Sequence, residues 1–333
     1  MPLCRLTYCI QGIAPTAVAA RASRAHVLRR TLSSASSVPS NSSSNSSSNS
    51  SSSQPPHSLT AAFCVIGDEI LNGRVLDVNS HFFAKRCFEL GVEMEKIEIV
   101  PDKYSAIAAS VQHLSSTHDI VFTSGGIGPT HDDITYSAIA RAFGTELEYS
   151  TRTLHRMRDI MGNRGVVNLP DPHGSPEQIA GARMALFPKS ATLTFPCDEF
   201  WVPVVCVARN IHVFPGIPKL FEKMVDAYLP TLVSTLSDKR IRAFNRALVG
   251  TWSRESVVAP VLTRLQGLYS QYGIRLGSYP TWVPEGRKTT DGGSKGLHRS
   301  MVVLSVVGKN KDQVEKCRLD LCKQLDGFDV PTT

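Results

Sequence analysis

The sequence predicts an α/β protein built on a mainly parallel sheet with helices on both faces, followed by a small α+β module. Across residues 58–232, short apolar runs alternate with amphipathic helical stretches, the order expected when helices connect parallel strands. Beyond Lys239 the order becomes strand, helix, two strands and helix, which is typical of a ferredoxin-like module over residues 240–328. Ligands of parallel sheets bind at the carboxyl ends of the strands, so polar loops at those ends are the candidate sites.

The first 57 residues have a composition unlike the rest of the chain. Neither an acidic residue nor a lysine precedes Asp68, whereas five arginines accompany many Ser, Thr and Ala residues. This composition is typical of a mitochondrial transit peptide, which we expect over residues 1–38 and which predicts a location in the mitochondrial matrix. Residues 39–57 are rich in Ser and Asn, cannot bury apolar surface, and are expected to form a disordered linker.

The five early arginines also account for the positive charge. The full sequence carries 36 Lys and Arg against 29 Asp and Glu, a net charge of +7, and without those arginines the balance is 31 against 29, or +2. A nearly neutral folded part predicts no nucleic-acid partner. No apolar run is long enough to span a membrane, so we expect a soluble protein without a membrane partner. The six cysteines after residue 57 include no C-x-x-C pair and are expected to be free core thiols.

The first elements follow from apolar runs and helix boundary residues. They are a strand at 61–66, a turn at 67–73, a helix from 79 or 80 to 91, a strand at 92–100, a helix from 102 and a strand at 119–123. The turn carries Asp68 and Glu69 directly after a strand end. Asn79 or Ser80 is expected to cap the first helix, and Asp102 to begin the second.

The segment 124–133 is the strongest candidate for a site. It joins the strand at 119–123 to a helix predicted over 134–143, and its glycines Gly125, Gly126 and Gly128 allow backbone amides to crowd against an anion. Asp132 and Asp133 are expected in the first turn of that helix. Carboxylates beside a phosphate repel it unless a cation lies between them, which favours a metal-assisted phosphate or diphosphate site. The alternative is that both acids only cap the helix.

Later elements complete the sheet domain. They are a helix at 149–160, a loop at 164–176, a weak helix or extended segment at 178–187, a loop or hairpin at 193–207, a strand at 211–213 and a helix at 219–229. Pro215 and Gly216 follow the strand at 211–213 in a stiff turn that either holds a loop over a ligand or is a plain turn.

The predicted module contains no cluster of catalytic residue types. Its elements are strands at 243–251, 274–279 and 301–307, helices at 255–269 and 311–325, and an exposed hairpin tip at 285–297. We therefore expect an interaction or structural role for it.

Two common nucleotide motifs are excluded. The dinucleotide fingerprint requires a third Gly or Ala where His131 stands, and a phosphate-binding Walker loop requires a Lys and a Ser or Thr that are absent after the glycines. His131 itself is either a metal or substrate contact or a solvated loop residue.

Four ordered motifs resemble the molybdopterin-binding (MoaB/Mog-like) domain, in the form found in the CinA competence-damage family and in the N-terminal half of eukaryotic FAD synthase. They are Gly67-Asp68-Glu69-Ile70-Leu71, Asp77-Val78-Asn79-Ser80, the run from Gly125 to Asp133, and Phe214-Pro215-Gly216-Ile217-Pro218. The resemblance covers roughly residues 59–229.

This resemblance implies a three-layer αβα fold, a homo-oligomer, and a nucleotide or pterin ligand. Enzymes of the family resemble metal-dependent hydrolases of a diphosphate bond, acting on FAD in one branch and ADP-ribose in the other. By motif, Asp132 and Asp133 are implied as catalytic residues, and these two with Asp68 as ligands of Mg, Mn or Co. The implied ligand-binding residues are Gly67, Asp68, Glu69, Asn79, Ser124, Gly125, Gly126, Gly128, Thr130, Pro215 and Gly216.

Two departures bear on the substrate. Where CinA proteins carry a Gly-Thr-Ala-Pro-Gly segment, this chain has residues 194–200, Thr-Phe-Pro-Cys-Asp-Glu-Phe, which favours FAD over ADP-ribose. The sequence also lacks the adenylyltransferase domain that makes FAD, so we expect hydrolysis of FAD to FMN and AMP rather than its synthesis. The alternatives are a non-catalytic pterin or flavin nucleotide binder and an enzyme that adenylylates molybdopterin.

Overall fold

The computed structural model describes residues 58–161, 175–236, 242–282 and 300–331, which belong to one compact unit. The predicted transit peptide, the linker, the hairpin tip at 285–297 and most of the loop at 164–176 lie outside these ranges. Among the described residues, no helix is long and apolar enough to cross a membrane.

The first part of the chain, up to residue 236, contains eight strands and seven helices among its described residues. The strands are β1 (Thr60–Ile66), β2 (Glu93–Val100), β3 (Ile120–Ser124), β4 (Leu147–Tyr149), β5 (Leu186–Pro188), β6 (Thr192–Thr194), β7 (Val204–Val207) and β8 (Ile211–Phe214). The helices are α1 (Asp68–Leu71), α2 (Asn79–Glu89), α3 (Tyr104–Thr117), α4 (Thr135–Ala142), α5 (Thr151–Met161), α6 (Pro176–Arg183) and α7 (Pro218–Leu236).

Six of these strands form one sheet in the order β2-β1-β3-β8-β7-β6. The first four are mutually parallel, β7 runs antiparallel to β8, and β6 runs antiparallel to β7, so the predicted mainly parallel sheet is confirmed. Val65 pairs with Ser124 and Ser124 pairs with Phe214, which brings the ends of β1, β3 and β8 level at one edge of the sheet. Strands β4 and β5 form a separate antiparallel ribbon.

Both faces of this sheet are buried. On β1, Phe63 packs into a core with α2 and α7, whereas its neighbour Cys64 packs into a second core with α3 and α4. Successive side chains of a strand point to opposite faces, so continuous burial along β1 requires a helical layer on each side. The fold is therefore the expected three-layer αβα arrangement.

The outer strand β2 is irregular. Its pairing with β1 shifts between Ala61, which pairs with Met94, and Ala62, which pairs with Lys96. Glu95 is thus the extra residue of a β-bulge at the edge of the sheet.

The predicted ferredoxin-like module is confirmed. Its elements are β9 (Asn245–Thr251), α8 (Glu255–Tyr269), β10 (Arg275–Trp282), β11 (Ser300–Gly308), α9 (Lys311–Leu325) and β12 (Phe328–Asp329). The sheet order is β10-β11-β9-β12 with every neighbouring pair antiparallel. Helices α8 and α9 pack on one face, where Val249, Leu304 and Leu321 are fully buried.

Contacts join the module to the sheet domain. The Lys309 ammonium donates to the Gly91 carbonyl at 3.0 Å and to the Ser58 hydroxyl at 2.6 Å. Next to it the rings of Phe88 and Phe244 stack with centroids 5.1 Å apart, and the Arg246 guanidinium lies 4.4 Å from the Phe88 centroid. Burial lowers the pKa of Lys309, yet these acceptors and the Phe244 ring solvate its charge.

Two helix starts differ from the prediction. Asn79 and Ser80 do not cap α2 through their side chains; the Asp77 carboxylate instead accepts the Ser80 amide at 3.0 Å. Asp102 does not begin α3, because the helix starts at Tyr104 and the Asp102 carboxylate points to the neighbouring strand end. The side chains of Asn79 and Asp102 are instead used in tertiary hydrogen bonds, to Ser124 and to the Asp68 amide respectively.

The remaining uncertain segments are now defined. Residues predicted as weakly helical or extended at 178–187 divide into α6, which starts at a Ser175 capping box, and β5. The loop or hairpin at 193–207 is the antiparallel pair β6 and β7. The six described cysteines are free as predicted, although Cys197, Cys206 and Cys322 are only partly buried.

Candidate functional site

The site lies where the loops after β1, β3 and β8 meet. A side chain on Gly125 would reach the Ile66 carbonyl oxygen at 2.1 Å, and one on Gly216 would lie 3.2 Å from the Gly125 Cα atom. Gly125 also has a φ of +107°, which side chains rarely adopt. Glycine is therefore required for the three strand ends to touch, and the residues predicted to share one crevice are brought together.

We refer to residues 125–134 as the glycine loop. Its amides at Gly126, Ile127 and Gly128 have no hydrogen-bond acceptor among the described residues. The Gly125 amide, in contrast, donates to the Phe214 carbonyl at 3.4 Å. Amides without an acceptor in the protein are suited to an anion. The predicted phosphate contacts of Gly126 and Gly128 stay predictions, whereas the Gly125 amide is already engaged and Gly125 serves close packing of the loops.

The glycine loop is fixed to α4 from behind. The Thr135 hydroxyl, fully buried, donates to the Gly125 carbonyl at 2.9 Å, and the Thr135 amide donates to the Gly126 carbonyl at 3.0 Å. Ile127 packs against both hydrophobic cores. These contacts anchor the loop to α4 and to both cores.

A buried polar network joins α2 to the ends of β3 and β8. The Asn79 amide nitrogen donates to the Ser124 hydroxyl at 3.0 Å and to the Gly216 carbonyl at 2.9 Å, and Ser124 donates to the Pro215 carbonyl at 3.1 Å. A carbonyl only accepts, so the Gly216 contact identifies the nitrogen of Asn79. Its amide oxygen is buried and has no hydrogen-bond partner within the described part of the chain. Asn79, Ser124, Pro215 and Gly216 therefore position the site's floor.

The two acids of the glycine loop lie before α4 rather than in its first turn. The cap residue is Ile134 and no side chain caps the helix, so both the predicted first-turn position and the capping alternative are wrong. Asp133 accepts the Thr130 amide at 2.8 Å, and the Thr130 hydroxyl lies 2.5 Å from carboxylate oxygens of both Asp132 and Asp133. Asp133 thus closes a turn.

Asp132 differs from Asp133 in its exposure. Its side chain is 60% exposed, and the hydrogen bond from Thr130 lowers its pKa, so it is a carboxylate at neutral pH. It is the acid of the loop most available to a ligand. His131 is 98% exposed and lies 3.9 Å from Asp132, which matches a solvated loop histidine.

A second acidic group stands at the ends of β1 and β2. The Asp68 amide donates to the Asp102 carboxylate at 2.9 Å, and the Glu69 carboxylate packs where a side chain on Gly67 would lie. Burial raises the pKa of Asp102, and the charges of Asp68, Glu69 and Asp132 raise it further. The charge of Asp132 therefore acts on Asp102, although less than burial and the charges of Asp68 and Glu69 do.

Sequence reasoning missed Asp102 and Arg183 as site residues. Asp102 follows the end of β2 as Asp68 follows the end of β1, so the strand-end rule contains the signal that would have found it. Arg183 of α6 donates to the Asp133 carbonyl at 3.4 Å, which brings a cation to the loop. No local pattern indicates this, because it depends on how α6 packs.

The acids do not form a complete metal cage. Among the described residues, no group of three or more His, Cys, Asp or Glu side chains is arranged to hold a metal ion. Magnesium in nucleotide sites is commonly held by one or two carboxylates and the phosphates of the ligand. Asp132, Asp68 and Asp102 are oxygen donors of the type that such a cation prefers, but the described residues do not bring the three together in one site.

A cleft of about 70 Å³ opens beside the glycine loop. Ser124, Gly125 and Asn79 line its polar side, and Val75 and Leu76 line its apolar side. The arrangement offers free amides, carboxylates and an apolar wall at one edge of the sheet, which is the chemistry needed to bind a phosphate ester with an organic group attached.

The chain is similar in sequence to several known proteins. The family described as "Probable molybdopterin binding domain" matches residues 62–234. The chain is 32% identical over 234 residues to the "Probable FAD synthase" of Caenorhabditis elegans, covering 68% of this chain and 44% of the relative. It is 35% identical over 177 residues to a "CinA-like protein" of Citrifermentans bemidjiense, covering 52% of this chain and 41% of the relative.

The chain spans less than half the length of each of these two relatives. Among solved structures, the protein CinA from Thermoplasma acidophilum aligns with a TM-score of 0.45 and 24% identity, covering 53% of this chain and 98% of that one.

Proposed function

The chain belongs to the family of probable molybdopterin binding domains, and from that premise we propose that it hydrolyses the diphosphate bond of a nucleotide with the help of a divalent cation. FAD is the proposed substrate, with FMN and AMP as products. The FAD synthase name of one relative and the residues 194–200 support this choice. We further propose that the reaction takes place in the mitochondrial matrix, on the composition of residues 1–38.

One observation carries the proposal. Among the described residues, the amides at Gly126, Ile127 and Gly128 have no acceptor, and they lie in the loop after β3, while Asp68 and Asp102 follow the ends of the neighbouring strands β1 and β2. Amides alone would suit any anion, but carboxylates beside them would weaken phosphate binding unless a cation neutralised them. This combination supports a diphosphate bound together with a divalent ion.

The roles of the side chains follow from their positions. The three amides would bind one phosphate, and Asp132 with Asp68 or Asp102 would hold the cation that stabilises charge developing on the phosphates. A water oxygen attacks one phosphorus, the bridging P–O bond breaks, and the proton of the water passes to a carboxylate or to solvent. Asp133 and Thr130 position the loop, and Arg183 stabilises its backbone.

The test is product analysis with the full-length chain. FAD, ADP-ribose and other dinucleotides are incubated with Mg²⁺, Mn²⁺ or Co²⁺, and the products are separated by chromatography. We expect FMN and AMP from FAD, and no turnover in the presence of a chelator. Intact FAD and intact ADP-ribose with all three metals would contradict the proposal.

Isosteric variants separate chemistry from loop structure. Asp132→Asn is expected to reduce kcat at least about 100-fold with an unchanged thermal midpoint, because it removes a cation ligand. Asp133→Asn is expected to reduce both activity and stability, since Asp133 holds Thr130. Asp159→Asn, an exposed acid on α5, is the matched control and should behave like the parent.

A second candidate function is binding without catalysis. It is favoured by the engagement of Asp133 with Thr130 and by the lack of a three-donor metal group in the described ranges. Calorimetry that gives tight binding of FAD or a pterin, with no product after long incubation, would select it over hydrolysis.

A further inference from the structure

The sheet domain and the module carry opposite net charges. In the described part of the module, residues 242–282 and 300–331, 10 Lys and Arg stand against 6 Asp and Glu, a balance of +4. In residues 58–161 and 175–236 the counts are 14 against 19, a balance of −5. The expectation of no nucleic-acid partner rested on the average charge, which conceals this separation. The module by itself has the charge that attracts an anionic partner.

One face of the module's sheet carries no helix within the described ranges. Helices α8 and α9 pack on the face that holds Leu304, so its neighbour Val303 points to the other face. Tyr279 pairs with Val303, which in turn pairs with Gly250. Gly250 then pairs with Phe328. These residues therefore form one row across all four strands of the helix-free face.

Two aromatic rings of this row lie over glycines. A Cβ atom on Gly250 would meet the Phe328 ring at 2.6 Å. A Cβ atom on Gly277 would lie 3.0 Å from the Tyr279 hydroxyl. Tyr279 is nevertheless 58% exposed and Phe328 is 38% exposed, and the Trp252 ring packs beside Phe328 with centroids 6.0 Å apart. We refer to Tyr279 and Phe328 as the aromatic platform.

The sheet domain covers only one end of the helix-free face. There, Arg275 and Arg246 form a row with Val307 between them. Arg275 makes an ion pair with Glu93, and Arg246 lies against the Phe88 ring. The aromatic platform is four residues further along each strand, which is about 13 Å at the rise of a β-strand. The platform therefore stays open to solvent while the covered end fixes the module in place.

The open face offers stacking surfaces together with positive charge. Aromatic rings on an exposed four-stranded sheet stack on nucleobases, and nearby cations bind the phosphates that connect those bases. The Phe328 ring reaches over β9 while Tyr279 stands on β10, so two strand spacings, about 10 Å, separate the rings. Each ring can therefore contact a different base of one strand. Arg254, exposed two residues after Trp252, has no ion pair within the described ranges and is available to a phosphate.

From these observations we infer that the module binds single-stranded nucleic acid on the helix-free face of its sheet. The bases stack on the aromatic platform, and the cations of the module neutralise the phosphates. A double helix keeps the faces of its bases stacked inside and cannot use the rings. The inference is independent of the proposed hydrolysis, because the platform shares no residue with the glycine loop.

The test measures binding to the full-length chain by fluorescence anisotropy. The probes are labelled oligo-dT and oligo-U of about 12 nucleotides and a duplex of the same length. We expect the single strands to bind at least about tenfold more tightly than the duplex, because only unpaired bases reach the rings. Both affinities should fall between about 50 mM and 200 mM salt, since phosphate contacts release counterions. The tighter of the two single strands identifies the nucleic acid.

Variants of the rings separate stacking from charge. Tyr279→Leu with Phe328→Leu keeps apolar groups over the glycines, and should weaken single-strand binding at least about tenfold while duplex binding and FAD turnover stay as in the parent. Tyr272→Leu, 47% exposed just after α8, is the matched control and should bind like the parent. Arg254→Gln should reduce the slope of log affinity against log salt by about 0.7. The early arginines are present in every variant, so their contribution cancels.

Four results would overturn the inference. They are no binding of either single strand at low salt, equal affinities for single strand and duplex, a double variant that binds like the parent, and a double variant that changes only the oligomeric state in gel filtration. Binding of poly-glutamate that equals single-strand binding and is lost in the double variant would assign the face to an acidic protein instead. If FAD stays intact while single strands bind as expected, only the proposed hydrolysis fails.

Discussion

His212 is a titratable residue that the site does not use. It is 2% exposed on β8, its Nδ1 lies 2.9 Å from the Tyr228 hydroxyl, and its ring stacks on Phe122 with centroids 5.3 Å apart. Burial lowers its pKa to about 4. The unfolded chain binds a proton near pH 6.5 while the folded chain does not, so the contribution to stability is present above pH 6.5 and is lost towards pH 4.

His212→Gln is expected to flatten this pH dependence. Between pH 7.5 and pH 5 the parent should lose about 2 kcal/mol more unfolding free energy than the variant, because glutamine does not titrate. Urea unfolding at the two pH values measures the difference. His155→Gln, an exposed histidine on α5, is the control and should follow the parent. Parallel profiles for parent and His212→Gln would contradict the assignment.

Asp102 gives a prediction of opposite sign. Burial raises the pKa of Asp102, and the charges of Asp68, Glu69 and Asp132 raise it further. The folded chain therefore holds the proton of Asp102 to higher pH than the unfolded chain does, and the protein loses stability as the pH rises from the ordinary aspartate pKa of 3.8 through the raised pKa. Without divalent cations, Asp102→Asn should have a higher thermal midpoint than the parent, by a margin that grows between pH 4 and pH 7.

Added Mg²⁺ distinguishes the two causes of the raised pKa of Asp102, which are burial and repulsion by the neighbouring carboxylates. Added Mg²⁺ should raise the thermal midpoint of the parent more than that of Asp102→Asn, because a cation relieves repulsion only where the carboxylates remain. A variant less stable than the parent at pH 7 without Mg²⁺ would mean that the hydrogen bond from Asp68 outweighs the repulsion.

At the scale of the elements, the site depends on how closely strand ends approach. Gly125→Ala should destabilise the fold by about 3 kcal/mol or more, since its Cβ atom would lie 2.1 Å from the Ile66 oxygen at a φ of +107°. Gly144→Asn, at the end of α4, should cost less than about 1 kcal/mol, because asparagine tolerates its φ of +62° and nothing lies within 4 Å. Denaturant unfolding compares them, and equal losses would contradict the packing argument.

The predictability of the elements varied with the range of the interactions that define them. Strand β3 and the glycine loop were predictable, because apolar runs and glycines act locally. The start of α2 was not, because Asn79 forms a tertiary hydrogen bond with Ser124 while Asp77 takes the capping role. Asp102 was predicted to begin a helix, but its carboxylate instead accepts a hydrogen bond from the distant Asp68 amide. Polar residues near element ends have both local and distant partners, and sequence shows only the local ones.

At the scale of the whole molecule, Lys309 links the module to the sheet domain. Lys309→Met keeps the length of the side chain but removes its hydrogen bonds to Ser58 and Gly91, and should lower stability by about 1–2 kcal/mol. Hydrogen exchange should become faster in β9 and at the end of α2, where Phe244 and Phe88 stack. Lys316→Met on the exposed side of α9 is the control, and identical exchange in both variants would contradict the role of Lys309.

The bulge in β2 has a consequence for self-association. A regular outer strand offers a ladder of unpaired amides and carbonyls onto which another chain can add a strand, a first step towards amyloid-like aggregation. Glu95 interrupts that ladder, and Glu93, Lys96 and Glu98 add charge along it. The bulge and these charges thus protect the sheet against uncontrolled growth at β2.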